Sequence, residues 1–257
     1  MPLRILALET STLDASVAAL EGDRVLGQTR LDRQRRTAQV FAPAVQQQLR
    51  SVGWRPQDVQ LVAVTQGPGS FTGLRVGVTA AKTLAYAVGA EVFAVNTLKV
   101  IAWQTPDAGP RLCAVLDAQR QQLFVADFQR AGDQLMEVSE TRIVDIADWL
   151  AGLTPDLAVT GPGLARLQDR LPSTAVVVDA ACWTPQAATV GRVAYLEYQS
   201  GKRHNLWTLN PVYYRSSAAE EKLGGRRSPD AGGATIEVER NSFRSDRSER
   251  NEFRSTN

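Results

Sequence analysis

Gln60-Leu-Val-Ala-Val-Thr-Gln-Gly-Pro-Gly-Ser-Phe-Thr-Gly-Leu-Arg75 contains three elements in succession. The run to Thr65 reads as a buried strand, because apolar and β-branched residues follow one another without polar alternation. Gln66-Gly-Pro-Gly-Ser70 reads as a tight turn. A helix rich in small residues follows and ends near Gly89, with Gly73, Gly77, Ala80, Ala81, Ala85 and Ala87 along it. Strand, glycine-rich turn and helix in this order point to an α/β fold. The turn admits two readings. Free backbone N–H groups at a helix start can hold an anion; equally, Ser70 or Thr72 can simply cap the helix. It is not a Walker A loop, since no Gly-Lys-Ser/Thr follows and Lys82 lies about three turns down the helix. The small side chains would let another helix approach closely. That helix could belong to this chain, to a partner, or to both.

Upstream, Arg4–Leu8, Ala15–Leu20 and Arg24–Thr29 read as three short strands joined by tight turns, an antiparallel meander. Thr37–Val52 has helical spacing, with Ala38, Phe41, Val45, Leu49 and Val52 on one stripe. Thr37 is the expected cap and Gly53 the expected stop. Pro43 predicts a later start or a kink. Downstream come a strand at Glu91–Val95, a short helix at Leu98–Trp103 and a linker at 106–110. The second half then repeats the scheme. Strands are expected at Leu112–Leu116 and Leu123–Phe128, and near Ile143 and Val144. A helix follows at Ile146–Leu150 and a strand at Leu157–Thr160. Gly161-Pro-Gly163 then opens a helix to Leu171, before a strand at Val176–Val178 and a helix at Ala187–Tyr198. A meander followed by strand, Gly-Pro-Gly and helix in both halves suggests a duplication. The expected organisation is one lobe at 1–105, a second at 106–224 and a mixed-charge tail at 225–257. Too few apolar residues lie in the tail to offset the entropy of folding. Within it, Asn241-Ser-Phe-Arg-Ser245 recurs as Asn251-Glu-Phe-Arg-Ser255.

The 257 residues are 44% hydrophobic and 22% charged, ordinary values for a globular protein. A net charge of +2 lacks the basic surplus of a chain that grips nucleic acid unaided. Cys113 and Cys182 are far apart and form neither a disulfide framework nor a ligand pattern. His204 is the single histidine, which excludes a two-histidine metal site and leaves little for a Ser-His-Asp peptidase. No apolar stretch approaches the ~20 residues of a membrane span, and Glu9 interrupts the first apolar run too early for a signal peptide. The cytoplasm is the expected location. Two acid-bearing turns remain, Glu9-Thr10-Ser11-Thr12 and Asp117-Ala-Gln-Arg120. If the acids faced each other across a cleft they would suit metal-assisted phosphoryl transfer.

Ile5-Leu-Ala-Leu-Glu-Thr-Ser-Thr12, Gln66–Gly77, Val95-Asn-Thr-Leu98, Asp117-Ala118 and Pro211-Val-Tyr-Tyr-Arg215 fall in one order. Over roughly residues 3–224 the chain resembles the TsaB (YeaZ-type) family, the bacterial dimerisation subunit of tRNA threonylcarbamoyladenosine synthesis. The resemblance implies an actin/Hsp70/sugar-kinase-like, ribonuclease H-like fold of two related lobes with mixed sheets. It implies a non-catalytic subunit that supports a TsaD-type transferase acting at A37 of tRNAs reading ANN codons, with a TsaE-type ATPase joining the complex. For the chain alone, monomer and homodimer are both left open, and tRNA is met only through the complex. No intrinsic cofactor is implied, and ATP or ADP with Mg²⁺ at the partner interface is left open. The helices implied at the partner interface carry Phe41, Val45, Leu49, Leu74, Arg75, Val76, Thr79, Ala80 and Thr83. Candidate nucleotide or anion contacts are Glu9, Thr10, Ser11, Gly67, Gly69, Ser70 and Asp117. The chain departs from the family pattern at Glu9, Thr37, Gln119 and Gln122. The alternative is a Mg-ATP hydrolase or small-molecule kinase using Glu9 and Asp117.

Overall fold

A computed structural model describes residues 2–106, 108–132 and 134–215. The tail at 225–257, with its repeated motif, lies outside the described residues. Among the described residues, eleven strands and five α-helices follow one another as β1 (Arg4–Glu9), β2 (Ser16–Glu21), β3 (Arg24–Arg30), α1 (Thr37–Ser51), β4 (Leu61–Gly67), α2 (Phe71–Val88), β5 (Glu91–Asn96), α3 (Thr97–Gln104), β6 (Arg111–Gln119), β7 (Gln122–Ala131), β8 (Gln134–Glu137), β9 (Arg142–Asp145), α4 (Ile146–Ala151), β10 (Leu157–Thr160), β11 (Val176–Val177) and α5 (Ala187–Gln199).

The first sheet has the order β3-β2-β1-β4-β5, with an antiparallel meander and two parallel additions beside β1. The second runs β11-β10-β6-β7-β8, with β9 pairing β7. Read from β6, it repeats the first: a meander of β6, β7 and β8, then β10 and β11 added in parallel. The duplication expected from the sequence is visible in this strand order, and the two mixed sheets with their helices make the α/β two-lobe architecture.

Both faces of the first sheet are covered, which explains why its strands lack polar alternation. Leu6 and Leu8 point into a core with α1 and α2 through Phe41, Leu49, Val78, Ala81 and Ala85. Ile5 and Ala7 point the other way, against Ala187, Val190, Val193 and Ala194 of α5. Alternate residues of one strand thus fill two cores. Helix α3 sits between the sheets, giving Val100 to the first and Leu98, Ile101 and Ala102 to the second.

Several elements differ from the sequence reading. Helix α1 starts at Thr37 and runs through Pro43. Pro43 is exposed, so water can replace the hydrogen bond it removes. Thr37 is not the cap; Arg36 holds that position and offers no side-chain hydrogen bond. Gly53 stops the helix in the left-handed conformation, φ 71°. After Gly161-Pro162-Gly163 there is no α-helix, only 3-10 turns at Pro162–Arg166 and Gln168–Arg170. A Cβ on Gly163 would lie 3.0 Å from the Leu116 carbonyl carbon, so this segment lies flat against β6. It also lacks the side-chain cap that starts α2. Strand β8 was not expected; it extends the sheet beside β7.

Candidate functional site

Strand β4 delivers the chain to Gly67, and α2 begins at Phe71. The loop between them is built against the β1–β2 turn. Ser70 N–H donates to the Ser11 carbonyl at 2.7 Å, and Ser70 Oγ accepts from Gly73 N–H at 3.2 Å as the N-cap. Gly69 has φ 157°, and a Cβ there would lie 2.4 Å from the Ser11 oxygen. A Cβ on Gly73 would lie 2.0 Å from the Thr10 oxygen, and one on Gly77 2.2 Å from Thr10 Oγ1. The glycines of α2 therefore admit this chain's own turn, not a second helix. That corrects the sequence reading: small residues reveal close approach but not what approaches.

The anion-site reading loses donors for the same reason, because the Ser70 N–H and Gly73 N–H are already used. Glu9, Thr10 and Ser11 are buried. One Glu9 carboxylate oxygen accepts Ser11 N–H at 2.6 Å and Ser11 Oγ–H at 2.5 Å. Burial outweighs these bonds and pushes the Glu9 carboxyl up to about 7. Asp117 is engaged elsewhere. It pairs with Arg166 at 2.7 Å and accepts Gln119 N–H at 2.7 Å. One acid is buried in the first lobe, with its second oxygen unpartnered, and the other is half-buried and paired with Arg166. Among the described residues no cluster of three His, Cys, Asp or Glu side chains could hold a metal.

The C-terminal segment from Asn205 to Arg215 completes the loop. Val212 N–H donates to the Gln66 carbonyl at 2.7 Å, and the Val212 oxygen would lie 2.5 Å from a Cβ on Gly67. Tyr213 stacks on Phe71 with ring centroids 4.5 Å apart. Arg75 lies over the Phe71 ring at 4.0 Å and donates from Nε to Tyr213 OH at 3.0 Å. Lys82 Nζ donates to the carbonyls of Trp207 (3.3 Å) and Leu209 (2.9 Å). Arg215 reaches the other sheet, donating to the Ala118 carbonyl at 2.6 Å and to Gln122 Oε1. Pro211–Arg215 was recognisable as a motif in the sequence, but its role as a strap across α2 and the β6–β7 turn was not. Arg166 gave no sequence signal at all.

The nine partner candidates separate into three groups. Phe41, Leu49 and Leu74 are buried in this chain, Phe41 and Leu49 within the first core. Arg75, Thr79 and Thr83 form an exposed row at four-residue spacing along α2. Val45, Val76 and Ala80 are half-buried beside that row, packed on the first core. At the far end of α2 two aromatic residues that the sequence reading missed, Tyr86 and Trp207, are 69% and 70% exposed and meet edge to face at 5.6 Å. No helix among the described residues is long and apolar enough to cross a membrane.

A family model described as tRNA N6-adenosine threonylcarbamoyltransferase (TsaD) matches residues 31–193. The chain is 32% identical over 148 residues to the tRNA threonylcarbamoyladenosine biosynthesis protein TsaB of Bacillus subtilis, a match covering 58% of this chain and 65% of that protein. It is 28% identical to the TsaB protein of Escherichia coli over 232 residues, covering 87% of this chain and 100% of that protein. The solved structure of YeaZ from Pseudomonas aeruginosa superposes with a TM-score of 0.72 at 26% identity, over 82% of this chain and 99% of that one. A transferase model fitting more than half the chain, TsaB relatives matched up to full length and a shared fold lead to one assignment: the chain belongs to the TsaB (YeaZ-type) family.

Proposed function

We propose that this chain is a non-catalytic partner subunit in tRNA threonylcarbamoyladenosine biosynthesis. It would bind a TsaD-type transferase and support it in forming N6-threonylcarbamoyladenosine at position 37 of tRNAs reading ANN codons. The observation that carries the reading is the outer face of α2. A row of small polar residues, Thr79 and Thr83, lies between a stacked arginine at one end and a pair of exposed aromatic residues at the other. Exposed Tyr, Trp and Arg are the side chains enriched at the energetic centres of protein interfaces. The burial of Glu9 and the pairing of Asp117 with Arg166 support a binding role over Mg-ATP chemistry. A TsaE-type ATPase is the proposed third member, and the same α2 face would serve a homodimer when the transferase is absent.

The test is retention of a transferase from native extract on the tagged, full-length chain. Thr79 and Thr83 are exposed, so Thr79→Glu with Thr83→Glu should leave folding within about 0.5 kcal/mol of the parent. The same double variant is expected to abolish retention. Retention unchanged in that variant, or no TsaD-type protein retained by the parent, would sink the proposal.

A further inference from the structure

The basic residues of this chain are segregated. From Arg33 to Ala90 the sequence has seven Arg or Lys residues (Arg33, Arg35, Arg36, Arg50, Arg55, Arg75 and Lys82) and a single acid, Asp58. The remainder of the chain is net acidic, so the overall +2 conceals a strongly basic segment. Its densest part is the turn between β3 and α1. Leu31 is buried and its N–H donates to the Ala15 carbonyl at 2.8 Å. The Asp32 carboxylate accepts Gln34 N–H at 2.9 Å, and the Asp32 carbonyl accepts Arg35 N–H at 3.3 Å. The turn fixed in this way exposes Arg30, Arg33, Arg35 and Arg36 together. Only Arg33 of the four has a carboxylate partner among the described residues, Asp14 at 3.0 Å.

Arg36 stands where a cation is unfavourable. It occupies the N-cap of α1, contributes no capping bond, and no acid in the first turn offsets it. Ser, Thr, Asp or Asn would cap this helix better, and a positive charge opposes the helix dipole there. A local rule broken without a visible structural gain is the pattern expected of a functional residue.

We propose that the β3–α1 turn binds the phosphate backbone of RNA, with Arg35 and Arg36 as the principal contacts. Naming tRNA as that RNA rests on the function proposed above. A guanidinium fork matches phosphate oxygens in two-point geometry. A second copy of this chain is a poor occupant, because two-fold pairing of the patch would set arginine against arginine. A protein partner is also disfavoured, because residues 32–36 expose no apolar side chain to anchor one.

The experiment is fluorescence anisotropy of an unmodified tRNA transcript, titrated with the full chain alone and with the chain premixed with its TsaD-type partner. Salt is varied between about 50 and 200 mM, the range over which phosphate contacts weaken steeply. Arg35→Gln with Arg36→Gln is expected to lower the slope of log affinity against log salt by roughly 1–2, one contact per arginine. Arg192→Gln, at an exposed arginine of α5, should change nothing. Arg36→Asp separates the roles further: it should raise Tm by ~2 °C through a better cap and still weaken RNA binding. Partner retention is read on the same samples by gel filtration. An unchanged salt slope in Arg35→Gln/Arg36→Gln with partner retention intact overturns the proposal and leaves the subunit reading standing. Loss of retention with an unchanged slope marks the turn as a protein contact and also overturns it. If the parent chain retains no partner, the subunit reading fails, and the titration of the chain alone still decides the RNA contact.

Discussion

Glu9 shows how one side chain can set a pH dependence. Its carboxyl is buried and titrates near 7 in the folded chain, against an ordinary 4.5. Above pH 4.5 the unfolded chain releases this proton while the folded chain keeps it. Folding therefore takes up a proton, and stability falls as pH rises from about 4.5 to about 7, then levels. The loss across that window is of order 3 kcal/mol. Glu9→Gln should flatten it, read as urea midpoints at pH 5 and pH 7.5. An equally steep fall in the variant would show that another group is responsible. Gly73 makes an opposite kind of test. In an exposed helix interior Gly→Ala gains up to ~1 kcal/mol. At Gly73 a Cβ would meet the Thr10 backbone oxygen at 2.0 Å. Overpacking of this kind costs ~1–3 kcal/mol, so Gly73→Ala should lower Tm. A rise would mean that the β1–β2 turn yields easily. The sequence marked Gly73 as special but not why, because the atom it accommodates is more than sixty positions away in the chain.

At the scale of elements, strands of the first sheet were readable because burial on both faces leaves unbroken apolar runs at Ile5–Leu8 and Leu61–Val64. Helix α2 was readable in extent but not in what its small residues face. Its Ser70 cap and its end at Gly89 follow from residue type alone. Its direction of packing depends on Thr10, Val212 and Tyr213, which local spacing cannot report. The same limit explains Phe41, Leu49 and Leu74, whose stripe positions are as consistent with a partner as with a core. Gly161-Pro162-Gly163 misled because it repeats the residues of the first loop without the serine that caps a helix. Lys82 offers a prediction at this scale. Its ammonium holds two carbonyls of the strap, so Lys82→Ala should loosen Asn205–Tyr213 from α2. Limited proteolysis is expected to cut the variant near Trp207 at least severalfold faster than the parent. Equal rates would show that Tyr213 and Val212 suffice to hold the strap.

For the whole molecule, sequence order and spatial order diverge at α5. This helix follows the second sheet in the chain but covers one face of the first, where Ala187, Val190 and Ala194 meet Ile5, Leu20 and Phe93. A fragment of residues 1–105 would leave that face in water, at a cost of ~25 cal/mol per Å² of apolar surface. It should be insoluble or unfolded when expressed alone. A soluble fragment with a cooperative melt would show that the first sheet tolerates the exposure. The repeated order of elements suggested two lobes and composition gave a near-neutral sum, and neither revealed this interlock. Nor did the sum show the basic segment, since charge totals erase position.

The stack of Phe71, Arg75 and Tyr213 has a consequence for synthesis on the ribosome. Arg75 and Tyr213 are 138 residues apart in the chain. At ~5–20 residues per second, Tyr213 is made roughly 7 to 28 seconds after Arg75. During that interval the nascent chain carries α2 without its strap, and Gln66 and Gly67 without Val212. Helix α2 therefore reaches the form seen here only after Tyr213 has been made. If α2 is the docking face proposed above, the gene's own reading direction orders assembly in time, with synthesis of the strap preceding recruitment of the partner.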